Sequence, residues 1–463
     1  MAQTRPNKHI PRRPAQPPRR ITIESLNGDG LGVVREDGKE LLVAGVLPGE
    51  EVIVRVEHEG QHRRSALLLK VTRPHADRVA PPCPRFPRCP GCPLLHLSYA
   101  AQCDFKTDQL RQALALYPEL AGRAIAPLWQ APEPLGYRTT AKLALAKVQG
   151  KALVGLYQRG SHRVIDIGDC PQQHPLINRI AQALREEIEH QKLHVYNPTS
   201  QRGLLRYLAV RVSPLHNRAL VTLVGTERNL RDFTHLAKWL QKKVPEIIGV
   251  HLNINPSSGN VVFSNNNLRL LGVDSLFDQI GDVRLQLSPT SFFQVNHAQA
   301  ARIYRQIADW AGLTEGKTAL DLYGGVGGIA LHLARRGGQV LGIEINPQAC
   351  DNARAAASHN RLSNCRFINA DAAEAAADLV TEGQVIDVAV VNPPRSGCDA
   401  AVLEALGQLR PAQLIYLSCH PHSLARDLHQ LLAQGYTLDC LQPIDMFPQT
   451  PHVETLVRLR LQP

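Results

Sequence analysis

A cysteine stands where the sequence predicts that a buried strand ends and a helix begins. Residues 414–417 form the apolar run LIYL, and the residues Ser418, Cys419 and His420 follow it before a helical pattern starts. The positive end of a helix favours the thiolate, which is the nucleophilic form of cysteine. A free cysteine also packs as a small apolar side chain. Cys419 is therefore either a reactive thiol or a core residue.

A second group of thiols has the spacing of metal ligands. The segment CPRFPRCPGC brings Cys83, Cys89 and Cys92 within ten residues. In a protein that is kept reduced, thiols this close are better metal ligands than disulfide partners. For the fourth ligand of a tetrahedral site, Cys170 at the end of a predicted strand is preferred to Cys103, which falls in a helical pattern. Zinc and an iron–sulfur cluster both accept four thiolates, and the spacing fits either.

A glycine-rich turn predicts a nucleotide site. The segment ALDLYGGVGGIALHLA (residues 319–334) has the pattern of a strand, a turn with four glycines and a helix. Such a turn lets a ligand approach the backbone and the start of the helix. Glu344 ends the next predicted strand, where a carboxylate suits the ribose hydroxyls of a nucleoside. This part of the pattern fits NAD as well as S-adenosylmethionine (SAM).

The end of the fourth predicted strand favours SAM. The segment VAVVNPPRSG places Asn392 and Arg395 on either side of two prolines. This is the carboxyl edge of the predicted sheet, where ligands bind in open α/β folds. Asp371 follows the third strand, and it either completes the polar rim of the pocket or caps the next helix.

The elements that position these residues form a multidomain α/β chain. From about residue 297 strands and helices alternate, which predicts a doubly wound parallel sheet. Two later strands without a long helix between them are expected to be antiparallel. The predicted strands are residues 318–323, 339–345, 366–370, 386–392, 413–418, 436–443 and 453–461.

Two further regions precede this sheet. Residues 21–72 alternate apolar and polar positions between glycine turns, which predicts a small OB-like β-barrel. A strand-rich region over residues 135–290 contains helices near 174–190 and 229–243. The 463 residues exceed what one core normally holds, so several domains are expected.

The charge of the chain predicts an anionic partner. The net charge is +11, which favours nucleic acid over an anionic membrane surface. The first twenty residues hold six Lys or Arg and no acid among several prolines, and we expect a disordered basic tail. The sequence contains no apolar run of about 20 residues and no secretory signal pattern. We therefore expect a cytoplasmic protein that does not enter a membrane.

Together these motifs resemble those of the RNA uracil-5-methyltransferase family, of the type that acts on 23S ribosomal RNA. The similarity extends over residues 21–463 and includes SPTSFFQVN (288–296), DLYGGVGG, NPPRSG, SCHPHSLARD and DMFPQTPHVETL (445–456). It implies a TRAM barrel at residues 21–74 after a tail of residues 1–20. A central RNA-contacting domain with an iron–sulfur site at 75–290 and a Rossmann-like SAM-dependent methyltransferase domain at 291–463 follow.

The resemblance also implies roles for particular residues. Cys419 is the expected nucleophile and Glu454 the expected base. Apart from the resemblance, Phe292 either stacks on the target base, which must be splayed out to be reached, or belongs to the core. The expected ligands of a [4Fe–4S] cluster are Cys83, Cys89, Cys92 and Cys170. The residues expected around SAM are Gln294, Tyr323, Gly328, Glu344, Asp371 and Asn392.

Three positions depart from the commonest family pattern. Many members have Asp at the position of Asn392, Asn at that of His420 and Cys at that of Gly324. The chain is expected to act as a monomer on 23S rRNA, with tRNA as the alternative substrate. Two other functions fit part of the sequence: an amino-group methyltransferase, which needs no thiol, and a noncatalytic RNA-binding or ribosome assembly factor.

Overall fold

A computed structural model describes residues 17–191, 193–259 and 261–462. Most of the predicted basic tail lies outside these residues. The first strand already begins at Arg19, two residues before the predicted start of the barrel. Six N-terminal strands form one sheet: Arg19–Thr22 (β1), Ser25–Leu26 (β2), Gly32–Glu36 (β3), Lys39–Val43 (β4), Glu51–Glu59 (β5) and Arg63–Arg73 (β6).

The N-terminal sheet closes on itself. Its order is β1-β5-β6-β4-β3-β2, and β1 and β2 are consecutive in the chain. The segment that contains them pairs with β5 through its first half and with β3 through its second half. Buried valine, leucine and isoleucine side chains fill the interior of this small barrel.

A single helix, Tyr99–Leu114 (α1), follows the cysteine-rich segment. The Ser98 hydroxyl accepts a hydrogen bond from the N–H of Ala101 and caps the helix. Leu110 and Leu114 pack in the same core cluster as Leu424, which lies in the helix Pro421–Ala433 beside the C-terminal sheet. The helix therefore lies against the C-terminal part of the chain, although the central sheet separates the two in sequence.

The central region is a seven-stranded sheet with both of its helices on one face. Buried apolar side chains of the helices and strands form one core cluster. The strand order is β13-β12-β11-β10-β7-β8-β9. The elements are Thr140–Val148 (β7), Lys151–Tyr157 (β8), Val164–Asp166 (β9), Pro175–His190 (α2), Leu205–Ser213 (β10), Arg218–Gly225 (β11), Leu230–Lys243 (α3), Ile247–Ile254 (β12) and Asn267–Gly272 (β13).

A short hairpin connects the central sheet to the C-terminal sheet. Its strands are Leu276–Ile280 (β14) and Val283–Leu287 (β15). The hairpin precedes residue 291, but its apolar side chains pack with Ile303 and Leu331 in the core of the C-terminal sheet.

The C-terminal sheet has the order β18-β17-β16-β19-β20-β22-β21. Strands β16 to β20 are parallel, and β22 runs antiparallel between β20 and β21. Each strand lies within two residues of its predicted bounds. The elements are His297–Ala311 (α4), Thr318–Leu322 (β16), Gly328–Ala334 (α5), Gln339–Glu344 (β17), Pro347–His359 (α6), Cys365–Asn369 (β18), Ala372–Thr381 (α7), Val388–Val391 (β19), Ala400–Leu409 (α8), Gln413–Ser418 (β20), Pro421–Ala433 (α9), Tyr436–Ile444 (β21) and Glu454–Leu461 (β22).

This strand order brings two distant segments together. Because β22 is antiparallel to β20, the start of β22 lies beside the end of β20, and Ser418 pairs with Thr455. Cys419 and Glu454 are the next residues along these two strands. Across the described ranges, every helix is too short or too polar to cross a bilayer.

Candidate active site and cysteine cavity

A cavity of about 760 Å³ opens at the carboxyl edge of the C-terminal sheet. It contains both residues for which the sequence predicts catalytic roles and four of the six residues predicted to surround SAM. Gly328 and Asp371 are not among its lining residues. The predicted residues that line the cavity are Gln294, Tyr323, Glu344, Asn392, Cys419 and Glu454.

Glu344 holds the glycine-rich turn on the floor of this cavity. One carboxylate oxygen accepts a hydrogen bond from the N–H of Gly325 at 2.8 Å, and the other accepts from the N–H of Asn346 at 2.7 Å. Tyr323 has a φ of 65°, which is uncommon for a residue with a side chain. The turn is therefore fixed by an acid from the neighbouring strand, and that acid still faces the cavity.

Gly328 and Asp371 make structural contacts outside the lining of the cavity. A Cβ atom at Gly328 would lie 2.9 Å from the ring of Tyr304, so close packing requires glycine there. Oδ1 of Asp371 accepts hydrogen bonds from the N–H groups of Ala373 and Glu374 and caps α7. The structure confirms that Asp371 caps a helix, and its place on the rim of the SAM pocket stays a prediction.

Cys419 is half-buried at the end of β20, and α9 begins two residues later. The start of the helix was expected to lower the pKa of Cys419, but other effects on this pKa are larger. The pKa of Cys419 is raised to about 11, first by burial and then by the Glu454 carboxylate, while Arg395 acts in the opposite direction. His420 caps α9, because its Nδ1 accepts a hydrogen bond from the N–H of Ser423.

Glu454 opens β22 and is only 4% exposed. Burial raises its pKa to about 8, with Arg395 opposing the shift. Among the residues that the structure describes, none hydrogen-bonds its Oε2. Its apolar surroundings thus give Glu454 the upward shift expected for a general base at neutral pH.

Arg395 and His452 are features of this site that the sequence did not assign. Arg395 donates a hydrogen bond to His452 at 3.0 Å, and both side chains line the cavity. Burial and the neighbouring guanidinium lower the pKa of His452 to about 4, so its ring is neutral at pH 7. The motif NPPR contained a signal for Arg395, whereas His452 lay within the motif DMFPQTPHVETL without a role of its own.

Asp321, beneath the glycine-rich turn, is a further buried acid. Its Oδ2 accepts a hydrogen bond from the N–H of Ala330 at 3.0 Å. Burial raises its pKa to about 7. The hydrogen bond joins the end of β16 to α5 and keeps the turn between them compact.

Phe292 lies at the boundary between this cavity and a second one. Its side chain is 72% exposed, so the prediction of a core role is wrong, whereas its neighbour Phe293 is buried. Phe292 lines both cavities. An exposed aromatic face beside the candidate nucleophile is available to stack on a base.

The second cavity, of about 630 Å³, is lined by Cys83, Cys89, Cys92 and Cys170 together. Cys103 is buried in α1 and does not line it. All ten cysteines are free thiols. In the described ranges, no three metal-binding side chains converge tightly enough to hold one ion. The four thiols instead surround a space that Gly91 borders. A Cβ atom added to Gly91 would lie 3.6 Å from the sulfur of Cys89.

One side of the central sheet is strongly basic. Residues 134–165, which span β7, β8 and the first two residues of β9, contain six Lys or Arg and no Asp or Glu. Lys142, Lys147, Lys151 and Arg159 are exposed. Lys142 also lines the cysteine cavity, and Arg159 lines the candidate active site. The basic surface therefore borders both cavities and can hold a phosphate backbone close to them.

The thiol and the buried acid lie at the carboxyl edge of a mostly parallel sheet, which is where open α/β folds bind their ligands. The model of the tRNA (uracil-5-)-methyltransferase family matches residues 98–462. The chain therefore belongs to the RNA uracil-5-methyltransferase family.

Similar sequences and a similar solved structure support this assignment. An uncharacterized RNA methyltransferase of Geobacter sulfurreducens is 41% identical over 440 residues, which are 95% of this chain and 89% of that protein. Another, of Thermosynechococcus vestitus, is 36% identical over 95% of this chain and 97% of that protein. The crystal structure of Pyrococcus abyssi tRNA (uracil-54, C5)-methyltransferase with S-adenosyl-L-homocysteine superposes with a TM-score of 0.78. It is 30% identical and covers 95% of this chain and 100% of that one.

Proposed function

We propose that this protein transfers a methyl group from SAM to C5 of a uridine in 23S rRNA. The observation that carries the proposal is that Cys419 and Glu454 face one cavity from adjacent strands, with the pKa of the acid raised to about 8. A thiol and a base close to each other are what uracil C5 chemistry requires, because C5 itself is a poor nucleophile.

Cys419 starts the reaction as a thiolate that adds to C6 of the uracil. The guanidinium of Arg395 favours this thiolate, because it lowers the pKa of Cys419. The new C–S bond moves the electron pair of the C5–C6 double bond to C5, which becomes an enolate-like carbanion. SAM supplies the methyl group that this carbon receives. Glu454 then takes the remaining C5 proton, the double bond re-forms, and the C6–S bond breaks to release Cys419.

The proposed SAM site has four residues that line the cavity and two, Gly328 and Asp371, that lie outside its lining. Glu344 is suited to the ribose hydroxyls, and Gln294, Tyr323 and Asn392 face the same space. Gly328 acts by letting α5 pack against Tyr304. A direct contact of Asp371 with SAM would use Oδ2, because Oδ1 accepts both hydrogen bonds of the helix cap.

The target base enters beside Phe292. A uracil must leave its stack to reach a buried thiol, and an exposed aromatic ring can replace the lost stacking. The basic surface of β7 to β9 suits the phosphates on either side of the target. This arrangement agrees with the net charge of +11.

The four cysteines are proposed to hold a [4Fe–4S] cluster. Each thiolate of such a cluster binds a different iron, so thiols spread around a cavity suit it better than one zinc ion. The cluster would supply folding energy and fix the central RNA-contacting surface rather than transfer electrons. Cluster-free protein that stayed folded and methylated RNA at the full rate would contradict this role.

Transfer RNA is the second candidate substrate. It is favoured by the similarity to the Pyrococcus abyssi protein, which acts on uracil 54 of tRNA. The set of four cysteines and its resemblance to the ribosomal type favour 23S rRNA. The two substrates differ in the RNA that becomes labelled and not in the residues that perform the chemistry.

The deciding experiment is methyl transfer from labelled SAM to unmodified 23S rRNA and tRNA in parallel. Wild-type protein is compared with Cys419→Ala and with Cys440→Ala, a control thiol that is also half-buried but lies outside the cavity. We expect 5-methyluridine in 23S rRNA with wild type and Cys440→Ala and none with Cys419→Ala. Label in tRNA would reassign the substrate. Label on adenine, or label that survives Cys419→Ala, would refute the uracil mechanism, and no label in either RNA would favour a noncatalytic factor.

A further inference from the structure

Helix α1 presents a buried polar stripe to the loop that leads into Glu454. Gln102, Lys106 and Gln109 are spaced at i, i+4 and i+7, which places them on one helix face. Gln102 and Lys106 are 1% and 0% exposed, whereas long polar side chains of soluble helices normally face water. All three contact residues 445–453, which connect β21 to β22 and are called here the β21–β22 loop.

The contacts between the stripe and the loop are reciprocal and charged. Lys106 forms an ion pair with Asp445 at 2.5 Å and donates a second hydrogen bond to the carbonyl of Phe447 at 3.0 Å. Gln102 donates to the side chain of Gln449 at 2.8 Å and accepts from its N–H at 2.9 Å. Gln109 donates to the carbonyl of Pro451 at 2.8 Å.

The other side of the β21–β22 loop is held by the cysteine-rich region. Leu94, two residues after Cys92, donates its N–H to the carbonyl of Gln449 at 3.1 Å. Gln172, two residues after Cys170, donates to the carbonyl of Pro448 at 3.3 Å. The loop is thus fixed between α1 and the segments that carry two of the four thiols.

The conformation of the loop depends on these contacts. Gln449 has a φ of 68°, a left-handed backbone that residues other than glycine rarely adopt. Such a conformation persists where the surroundings determine it, and here Gln102 and Leu94 bond to both sides of this residue. The loop also contributes Phe447 and His452 to the lining of the active-site cavity.

Few contacts of its own orient the carboxylate of Glu454. In the part of the chain that the structure describes, its Oε2 lacks a hydrogen-bond partner. Its direction is therefore set by the backbone at the start of β22, which continues directly from the loop. We propose that Gln102 and Lys106 of α1 are positioning residues that hold the β21–β22 loop so that Glu454 reaches the C5 proton.

The proposal rests on the proposed function, in which Glu454 removes the C5 proton after methyl transfer. If the base is displaced, Cys419 still adds and the methyl group is still transferred, but elimination of the thiolate stalls. A methylated covalent RNA–protein adduct then accumulates. A loss of overall folding would remove adduct and product together, so the adduct distinguishes positioning from a structural role.

The experiment measures labelled methyl groups in protein-bound and free RNA on denaturing gels. Glu454→Gln is the reference for a missing base. We expect Gln102→Ala and Asp445→Asn to accumulate adduct like the reference and to release product roughly 100-fold more slowly than wild type, as misplaced catalytic groups do. Glu50→Gln is the matched control, because Glu50 is also a fully buried carboxylate, paired with Arg78 at 2.6 Å away from the loop.

A second variant covers the case in which Asp445→Asn fails to fold. The double variant Lys106→Met with Asp445→Leu removes both charges and leaves no buried ion unpaired, which cores tolerate better than a single loss. We expect it to fold and still accumulate adduct. Release at the wild-type rate in Gln102→Ala and in the double variant would overturn the proposal, as would equal adduct in Glu50→Gln. If Glu454→Gln itself forms no adduct, the role of the base is wrong and the positioning role fails with it.

Discussion

Replacing Glu454 by glutamine should stabilise this protein, and increasingly so as the pH rises. Burial raises the pKa of this acid from its usual 4.5 to about 8 in the folded protein. A carboxyl group whose pKa is higher in the folded than in the unfolded protein costs no stability while it is protonated in both states. Its ionisation then costs stability as the pH climbs from the unfolded pKa to the folded one.

The size of the effect follows from the two pKa values. One pKa unit corresponds to about 1.4 kcal/mol, so the interval from 4.5 to about 8 corresponds to roughly 5 kcal/mol of unfolding free energy. The wild type retains nearly all of this stability at or below pH 4.5 and has lost it above about pH 8. Glutamine keeps the shape of the side chain and does not ionise, so the variant lacks this dependence.

The assay is urea-induced unfolding of both proteins at intervals from pH 5 to pH 9. Hydrogen exchange of peptides from Glu454–Leu461 reports on the sheet that contains the substitution. We expect the advantage of Glu454→Gln to be about 1 kcal/mol or less at pH 5 and to grow by about 4 kcal/mol by pH 9.

Glu50→Gln provides a control of opposite sign. The hydrogen bonds and charge of Arg78, with backbone N–H groups, outweigh burial and lower the pKa of Glu50. This acid therefore contributes stability above its unfolded pKa that is lost as the pH falls through its folded pKa. Its replacement should destabilise the protein at neutral pH and matter less in acid. A stability difference between wild type and Glu454→Gln that stays constant from pH 5 to pH 9 would refute the argument that Glu454 is buried and neutral.

Four further outcomes are expected. Product release from a preformed adduct should rise about tenfold from pH 6 to pH 7 and level off above about pH 8, because Glu454, as the proposed base, must lose its proton to act. A flat rate profile would contradict this role. Arg395→Met should move the pH profiles of Cys419 alkylation and of product release to higher pH, since the guanidinium lowers the pKa of both Cys419 and Glu454. Phe292→Ala should raise KM for RNA by roughly 10- to 100-fold, as loss of one stacked base does, with little change in Tm because the ring is 72% exposed. With the proposed iron–sulfur cluster, Cys170→Ser should lose bound iron in elemental analysis while Cys103→Ser keeps it, because of these two cysteines Cys170 alone lines the cysteine cavity.

The strands of the C-terminal sheet could be predicted from the sequence because their burial leaves a local signature. Strands such as β19 and β20 are covered on both faces, so they are short, nearly continuous apolar runs between polar turns. The position of Cys419 at the end of such a run followed from this pattern alone. The grouping of Cys83, Cys89 and Cys92 was equally local, because three thiols within ten residues must lie close together.

The pKa values of the site depended on the tertiary structure. The helix start beside Cys419 was visible in the sequence, but burial and Glu454 outweigh it and raise the pKa of the thiol. Burial of Glu454 follows from its place at the sheet edge, which one acid near a strand start does not reveal. Desolvation depends on every neighbour of a group, and most of these neighbours are remote in the chain.

The amino-acid sequence by itself determined the elements and the glycine-rich turn, and its resemblance to a known family singled out Cys419 and Glu454 as the proposed nucleophile and base. Only the tertiary structure placed β22 beside β20 and thereby brought Glu454 to Cys419. It also joined Gln102 to Gln449, which are 347 positions apart. The reason is physical: helices and strands follow from periodicities over a few residues, whereas the order of strands and the contacts of buried polar groups follow from the packing of the whole chain.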